Sequence, residues 1–147
     1  MNTWVSNLPI YFGMLYFKPM AEHKILVVED SESLRKVLAE KLRDEKFEVL
    51  EASGGEEGAK TAESARPDMV ITDIVMFPVD GLEMAKQIRS SGTWGANVHI
   101  IALTNQNSAE EEQRLEGLNL TAYLVKAETG LDEVVKHVKD LLKEKKK

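Results

Sequence analysis

An open parallel α/β sheet with helices on both faces is the fold this sequence predicts, and three observations predict it. Short apolar runs alternate along the chain with stretches of helical periodicity. The runs are three to six residues long and bounded by turn residues, as buried parallel strands are. Four of them end in a polar residue with a chemical use: Ile25-Leu26-Val27-Val28 in Glu29-Asp30, Met69-Val70-Ile71-Thr72 in Asp73, Val98 to Leu103 in Thr104, and Tyr123-Leu124-Val125 in Lys126. Strand then helix, repeated five times, implies a sheet covered on both sides, and right-handed crossovers leave few topologies. The crevice of such a sheet lies beyond the carboxyl ends of its strands. Three carboxylates, a hydroxyl and an ammonium are therefore expected in one pocket, although Glu29 and Lys126 stand 97 positions apart.

The elements follow in order. Strand 24–28 leads to a helix over about 32–45, with Leu34, Val37, Leu38 and Leu42 expected on its inner face. Ser31 is its N-cap, and Glu32 stands in the first turn where the macrodipole favours an acid. Phe47 to Ala52 is a short strand, broken by Gly54-Gly55. A helix faced with Ala59, Ala62 and Ala65 follows and ends at Arg66-Pro67. After strand 69–73 comes a loop with Pro78 and Asp80-Gly81, then a helix over 82–90 with Leu82, Ala85 and Ile88 inward. Strand 98–103 precedes Asn107-Ser108, a cap for a helix near 109–117 that has little to bury and is closed by Gly117. Elements that move are drawn from that low-stability class. Strand 122–125 leads to the most regular helix, where Leu131, Val134, Val135, Val138, Leu141 and Leu142 repeat at helical spacing. Trp94 reads as a loop anchor or lone surface aromatic, and His23, His99 and His137 as structural or surface residues.

Composition bounds the function. A chain of 147 residues suits one domain with a real core. The net charge of −6 leaves no basic footprint for nucleic acid. The basic stretch within 143–147 reads as a solvated helix end. Without cysteine there is no disulfide, thiolate nucleophile or Cys-based metal site, which fits a reducing compartment. Leu8 to Phe17 is about ten residues, interrupted by Pro9 and Gly13, against the ~20 needed to span a bilayer. It lacks the basic start and cleavage site of a signal peptide. A cytoplasmic protein without membrane insertion is expected.

Residues 1–20 differ from the rest. They hold Trp4, Tyr11, Phe12, Tyr16 and Phe17, five of the nine aromatics, with two prolines and almost no charge. They read either as an over-called start, with Met20 beginning the domain proper, or as an apolar docking peptide. The expected division is thus an extension at 1–20, one domain at 21–143 and a basic tail at 144–147.

The convergent residues specify chemistry. Clustered carboxylates repel and raise each other's pKa unless a cation intervenes. Glu29, Asp30 and Asp73 make an all-oxygen donor set of the kind that suits Mg²⁺. A carboxylate can attack phosphorus to form an aspartyl-phosphate, provided that a metal and a cation neutralise the incoming charge. Lys126 fits as that cation, and Thr104 offers a hydroxyl to a phosphoryl oxygen.

Together, Ile25 to Asp30, Asp73-Ile74-Val75-Met76 with Asp80-Gly81, Ala102-Leu103-Thr104 and Tyr123 to Lys126 resemble the receiver domain of two-component response regulators over roughly residues 23–143. The resemblance implies a flavodoxin-like fold, strand order 2-1-3-4-5. It implies Asp73 as the phosphoacceptor, with Lys126 and Thr104 assisting. Mg²⁺ would be held by Asp30, Asp73, the backbone carbonyl of Val75 and, mostly through water, Glu29. Thr104 and Tyr123 would form a switch pair, the ring turning inward as the threonine moves toward the phosphate. The phosphoryl donor would be a phosphohistidine on a sensor kinase or phosphotransfer protein. Such a domain catalyses only its own phosphorylation and dephosphorylation. Little chain lies beyond it, so a stand-alone receiver, monomeric or weakly dimeric, is expected to signal to a protein partner. Three positions depart from the family pattern. Ala127 stands where a proline preceded by a cis bond is usual. Pro78 falls five residues after Asp73 rather than four. Asn105 replaces a smaller residue.

Three rivals are weaker. A flavin or nucleotide site wants a Gly/Ser/Thr-rich loop after the first strand, where this chain has Glu29-Asp30-Ser31-Glu32. A two-aspartate phosphatase needs a general acid at position 75, which is valine. A degenerate, unphosphorylated interaction module is opposed by the intact acidic cluster.

Overall fold

The structure, a computed structural model, describes residues 23–105 and 108–145. The expected extension at 1–20, Asn107 and the end of the basic tail lie outside the described residues. Eleven elements occur among the described residues: β1 (Lys24–Val28), α1 (Glu32–Asp44), β2 (Glu48–Ala52), α2 (Gly55–Ala65), β3 (Met69–Asp73), α3 (Gly81–Arg89), α4 (Thr93–Asn97), β4 (His99–Thr104), α5 (Ala109–Leu115), β5 (Ala122–Val125) and α6 (Leu131–Lys145). The five strands form one parallel sheet in the order β2-β1-β3-β4-β5. The flavodoxin-like doubly wound architecture is therefore present as expected.

Period-two alternation sorts the strand side chains onto two faces. Ile25, Val27, Met69, Ile71, Ile101 and Leu103 pack with Leu38, Ala39 and Leu42 of α1 and Val134 and Val138 of α6. Leu26, Val28, Val70, Ile100 and Ala102 pack instead with Ala62 of α2 and Met84, Ala85 and Ile88 of α3. The alanine and glycine face of α2 has a steric reason. A Cβ on Gly58 would run into Met84 and Val28, so the small face lets α2 lie close to sheet and α3.

Some expectations are corrected. Leu34 and Val37 are not part of the inner face of α1; they are 50% and 43% exposed, and Ala39 takes a buried place beside Leu38 and Leu42. The helix springs directly from the end of β1, so its first turns lie beside the open carboxyl edge rather than over the sheet. Residues 93–97 are a short helix, α4, not a bare loop. Trp94 anchors it by donating its indole N–H to the Pro67 carbonyl at 2.9 Å. Several ends shift by one or two residues: β2 begins at Glu48, α3 spans Gly81–Arg89, β4 spans His99–Thr104 and α5 stops at Leu115. Gly117 follows α5 with φ of 81°, a left-handed backbone that explains a glycine there.

The capping expectations hold. Ser31 accepts from the Leu34 amide, and Ser108 from the Glu111 amide. The weak packing of the helix near 109 also holds, because α5 has no buried residue. No described helix is long and apolar enough to cross a membrane.

Candidate functional site

Pleat parity places the site. Glu29 continues the face of Val27, Asp73 that of Ile71, and Lys126 that of Leu124, so all three side chains leave the carboxyl edge on the α1/α6 side. Thr104 and Tyr123 have the opposite parity and share the face of Ile100 and Ala102. Backbone bonds hold the edge in register: Glu29 N to Ala52 O at 3.1 Å, Ile74 N to Leu103 O at 3.1 Å, and Lys126 N to Thr104 O at 2.7 Å.

Carboxylate oxygens of Glu29, Asp30 and Asp73 lie within 4.8 Å of one another. Glu29 and Asp73 are buried and Asp30 is exposed. The Lys126 ammonium sits between the two buried acids, 3.0 Å from Glu29 Oε1 and 3.1 Å from Asp73 Oδ1. Burial alone would depress the lysine pKa, but the two carboxylates outweigh it and hold the group above its ordinary value. Burial pushes the Glu29 carboxyl up. The Ser31 amide, at 3.0 Å from Oε2, and Lys126 pull it down, while Asp30 and Asp73 push it up, and the net shift is upward. Three carboxylates against one ammonium leave the site with an excess of negative charge. That excess, an all-oxygen donor set and an exposed third acid fit a hard divalent cation such as Mg²⁺.

Phe77–Pro78 is the cis peptide among the described residues. The bond between Lys126 and Ala127 is accordingly trans, and the lysine still reaches both acids. Phe77, four residues after Asp73, is 88% exposed. From Glu29, Asp73 and Lys126 a cleft of about 290 Å³ runs down between α1 and α6, lined there by Leu34, Leu38 and Val134.

Thr104 and Tyr123 meet at a residue that sequence reasoning missed. Both donate to one oxygen, Glu111 Oε1, at 3.0 and 2.7 Å. Burial, then the bond to Glu111, pushes the Tyr123 phenol up to about 12. Arg114, one turn on, donates to both oxygens of Asp80 at 2.9 and 2.8 Å, tying α5 to the N-cap of α3.

Two further roles were not read from the sequence, that of Arg35 and the close packing of Gly81. Arg35 donates to the Glu29 carbonyl at 3.0 Å and to Glu51 at 3.1 Å, so it braces the backbone of the acid pair. Gly81 lies against β3: a Cβ there would collide with the backbone carbonyl of Asp73. The Asp80-Gly81 pair reads from sequence as a turn, and the close approach to β3 is visible only in the fold. Nothing local marks Arg35, which is an ordinary helical arginine.

Strand order and edge cluster define a receiver-type signalling domain, and comparison with known proteins agrees. The structure is similar to Vibrio cholerae chemotaxis protein CheY4 (TM-score 0.73, 30% identity, covering 80% of this chain and 97% of that one). It is also similar to the N-terminal domain of an uncharacterized Wolinella succinogenes protein (TM-score 0.75, 28% identity, 85% and 99% covered). In sequence it is 37% identical over 99 residues to the Bacillus subtilis alkaline phosphatase synthesis transcriptional regulatory protein PhoP, covering 67% of this chain and 39% of PhoP. It is 36% identical over 104 residues to the Mycobacterium tuberculosis transcriptional regulatory protein PdtaR, covering 70% of this chain and 49% of PdtaR. The chain thus matches less than half the length of either regulator. The family model of the response regulator receiver domain matches residues 25–139. The chain belongs to the response regulator receiver domain family.

Proposed function

We propose that Asp73 accepts a phosphoryl group from a phosphohistidine on a sensor kinase or phosphotransfer protein, in a Mg²⁺-dependent reaction, and that the modified domain signals to a protein partner. The observation that carries this reading is the meeting of three carboxylates within 4.8 Å, two of them paired to one buried-edge ammonium. Glu29, Asp30, Asp73 and the Val75 carbonyl would hold the ion, which supplies charge neutralisation at the phosphoryl oxygens. An Asp73 carboxylate oxygen attacks phosphorus; the P–N bond breaks and its electron pair leaves with the donor imidazole. Lys126 exchanges its pairing with Asp73 for the phosphoryl oxygens. Hydrolysis reverses the state: water attacks phosphorus, and the aspartate leaves as carboxylate.

The surroundings suit a protein donor. Leu34, Val37, Val75 and Phe77 are the exposed large hydrophobics among the described residues. They lie on α1 and on the loop after Asp73, the two segments that flank the acids, and exposed apolar groups around a polar centre mark contact surfaces.

The test is mass spectrometry after incubation with phosphoramidate and Mg²⁺. One added phosphate is expected in the wild type and none in Asp73→Asn. A wild-type mass unchanged by a competent donor would favour an unphosphorylated interaction module instead.

A further inference from the structure

We infer that Glu111 is the positioning residue that holds Thr104 and Tyr123 in the unmodified arrangement, so that phosphorylation must displace one carboxylate oxygen to operate the switch. This rests on Asp73 being the phosphoacceptor.

The local sequence assigns Glu111 a different job. Ser108-Ala109-Glu110-Glu111 is a capping box, in which the glutamate three residues after the N-cap turns back to the N-cap amide. The serine half forms as expected, Ser108 Oγ accepting from the Glu111 amide at 3.1 Å. The glutamate side chain instead crosses to the sheet, where Oε1 accepts from Thr104 Oγ1 at 3.0 Å and Tyr123 OH at 2.7 Å. An ionised carboxylate is an acceptor only. Two donors from two adjacent strands on one such oxygen make a specific arrangement, stronger than neutral pairs would be.

Proton accounting at Thr104 makes the contact regulatory. A hydroxyl has one proton to donate. In this structure it goes to Glu111. A phosphoryl oxygen on Asp73, whose register partner Leu103 directly precedes Thr104, needs the same proton. The two acceptors compete, and the phosphoryl group wins only by stabilising the alternative more than Glu111 stabilises this one.

The element carrying the latch is suited to release. With no fully buried residue and Leu115 alone half-buried against the core, α5 depends for its polar fastening on Glu111 at the sheet and on Arg114 at Asp80 of the α3 N-cap. Loss of the Glu111 contacts loosens one of these two fastenings and so couples the modification state to the position of α5.

The experiment compares wild type, Glu111→Gln and Glu111→Ala in affinity for beryllofluoride with Mg²⁺, and in the spectrophotometric titration of Tyr123, assigned by subtraction of Tyr123→Phe. Removing the latch relieves the competition. Glu111→Ala is expected to bind beryllofluoride roughly three- to tenfold more tightly, the worth of one charge-assisted bond at a part-exposed site. Glu111→Gln, which keeps an acceptor without the charge, falls between. Tyr123 should titrate lower in both variants than in wild type, because the Glu111 carboxylate that accepts its proton at 2.7 Å is gone, a shift that a merely structural role for Glu111 in α5 would not produce. Circular dichroism of each variant checks that it is folded. Unchanged beryllofluoride affinity in Glu111→Ala, or an unmoved Tyr123 titration, overturns the latch while the phosphoacceptor reading stands. Failure of wild type itself to bind beryllofluoride overturns both.

Discussion

Gly81 shows how a single residue is bound to the chemistry beside it. It opens α3, its amide donates to Ile74 O at 2.8 Å, and its missing Cβ leaves room for the Asp73 carbonyl. Thr72 Oγ1 bonds that same carbonyl at 2.8 Å. Gly81→Ala therefore forces backbone against backbone directly behind the proposed phosphoacceptor. The expected cost is about 1–3 kcal/mol by urea denaturation, the usual range for overpacking a tight site, together with slower phosphorylation by phosphoramidate. Wild-type stability in that variant would mean that the α3 N-terminus yields without strain. Glu51 shows electrostatics at the same scale. Burial pushes its carboxyl up, but hydrogen bonds from Arg35 and Arg43 outweigh this and hold it below the ordinary range. Arg35 is thus fixed by Glu51 while it braces the Glu29 carbonyl.

Among the elements, α3 is fastened at both ends. Asp80 caps its start, accepting from the Glu83 amide at 2.8 Å. At its end Arg89 donates to four carbonyls: Leu118 at 2.7 Å, Gly95 at 2.8 Å, Val98 at 2.7 Å and Asn119 at 2.9 Å. These belong to α4, the residue before β4, and the turn between α5 and β5. One guanidinium thus ties the connection between α3 and β4 to the turn between α5 and β5 through their backbone carbonyls. Burial lowers its pKa, and it remains a cation because guanidinium titrates so high. Arg89→Lys should cost about 2–3 kcal/mol in chemical denaturation, since an ammonium cannot span the fork. The loss should fall on stability and leave phosphorylation of the folded protein unchanged, because Arg89 lies at the far end of α3 from Asp73. By contrast α5 has no fully buried residue and only the half-buried Leu115 against the core, and that difference makes α5, rather than α3, the element suited to move.

At the scale of the whole molecule, the fold holds an acidic cluster that repels itself. Glu29 has its pKa raised in the folded state. The folded state therefore retains protons there to higher pH than the unfolded chain, so this group's contribution to stability is present in acid and is lost as pH rises through the folded value. A divalent cation opposes that loss by binding the ionised, folded form. Mg²⁺ at tenfold excess over its dissociation constant should add about 1.4 kcal/mol at neutral pH, or about 5 °C in Tm for a domain of this size. Calorimetry should show the gain shrinking as pH falls through the raised Glu29 value toward its ordinary 4.5. A gain that persists in acid, or that survives in Asp30→Asn with Asp73→Asn, would place the ion elsewhere.

The sequence alone determined the strand and helix alternation, the two-faced sheet and the gathering of Glu29, Asp30, Asp73 and Lys126. Those features follow from local periodicity and from one topological rule, that parallel strands share a carboxyl edge, so residues at strand ends meet wherever they stand in the chain. Tertiary structure decided what local pattern leaves open. Leu34 and Val37 carry the helical period of a buried face, yet no element among the described residues covers them at the edge. Arg89 and Arg35 look like solvated helical arginines until the fold brings four backbone carbonyls to the one and the Glu29 carbonyl and Glu51 carboxylate to the other. Glu111 has the spacing of a capping box, and only the approach of β4 and β5 to α5 offers its carboxylate two better donors. A side chain with several satisfactory partners is assigned by which surfaces meet, and that is a property of the folded molecule.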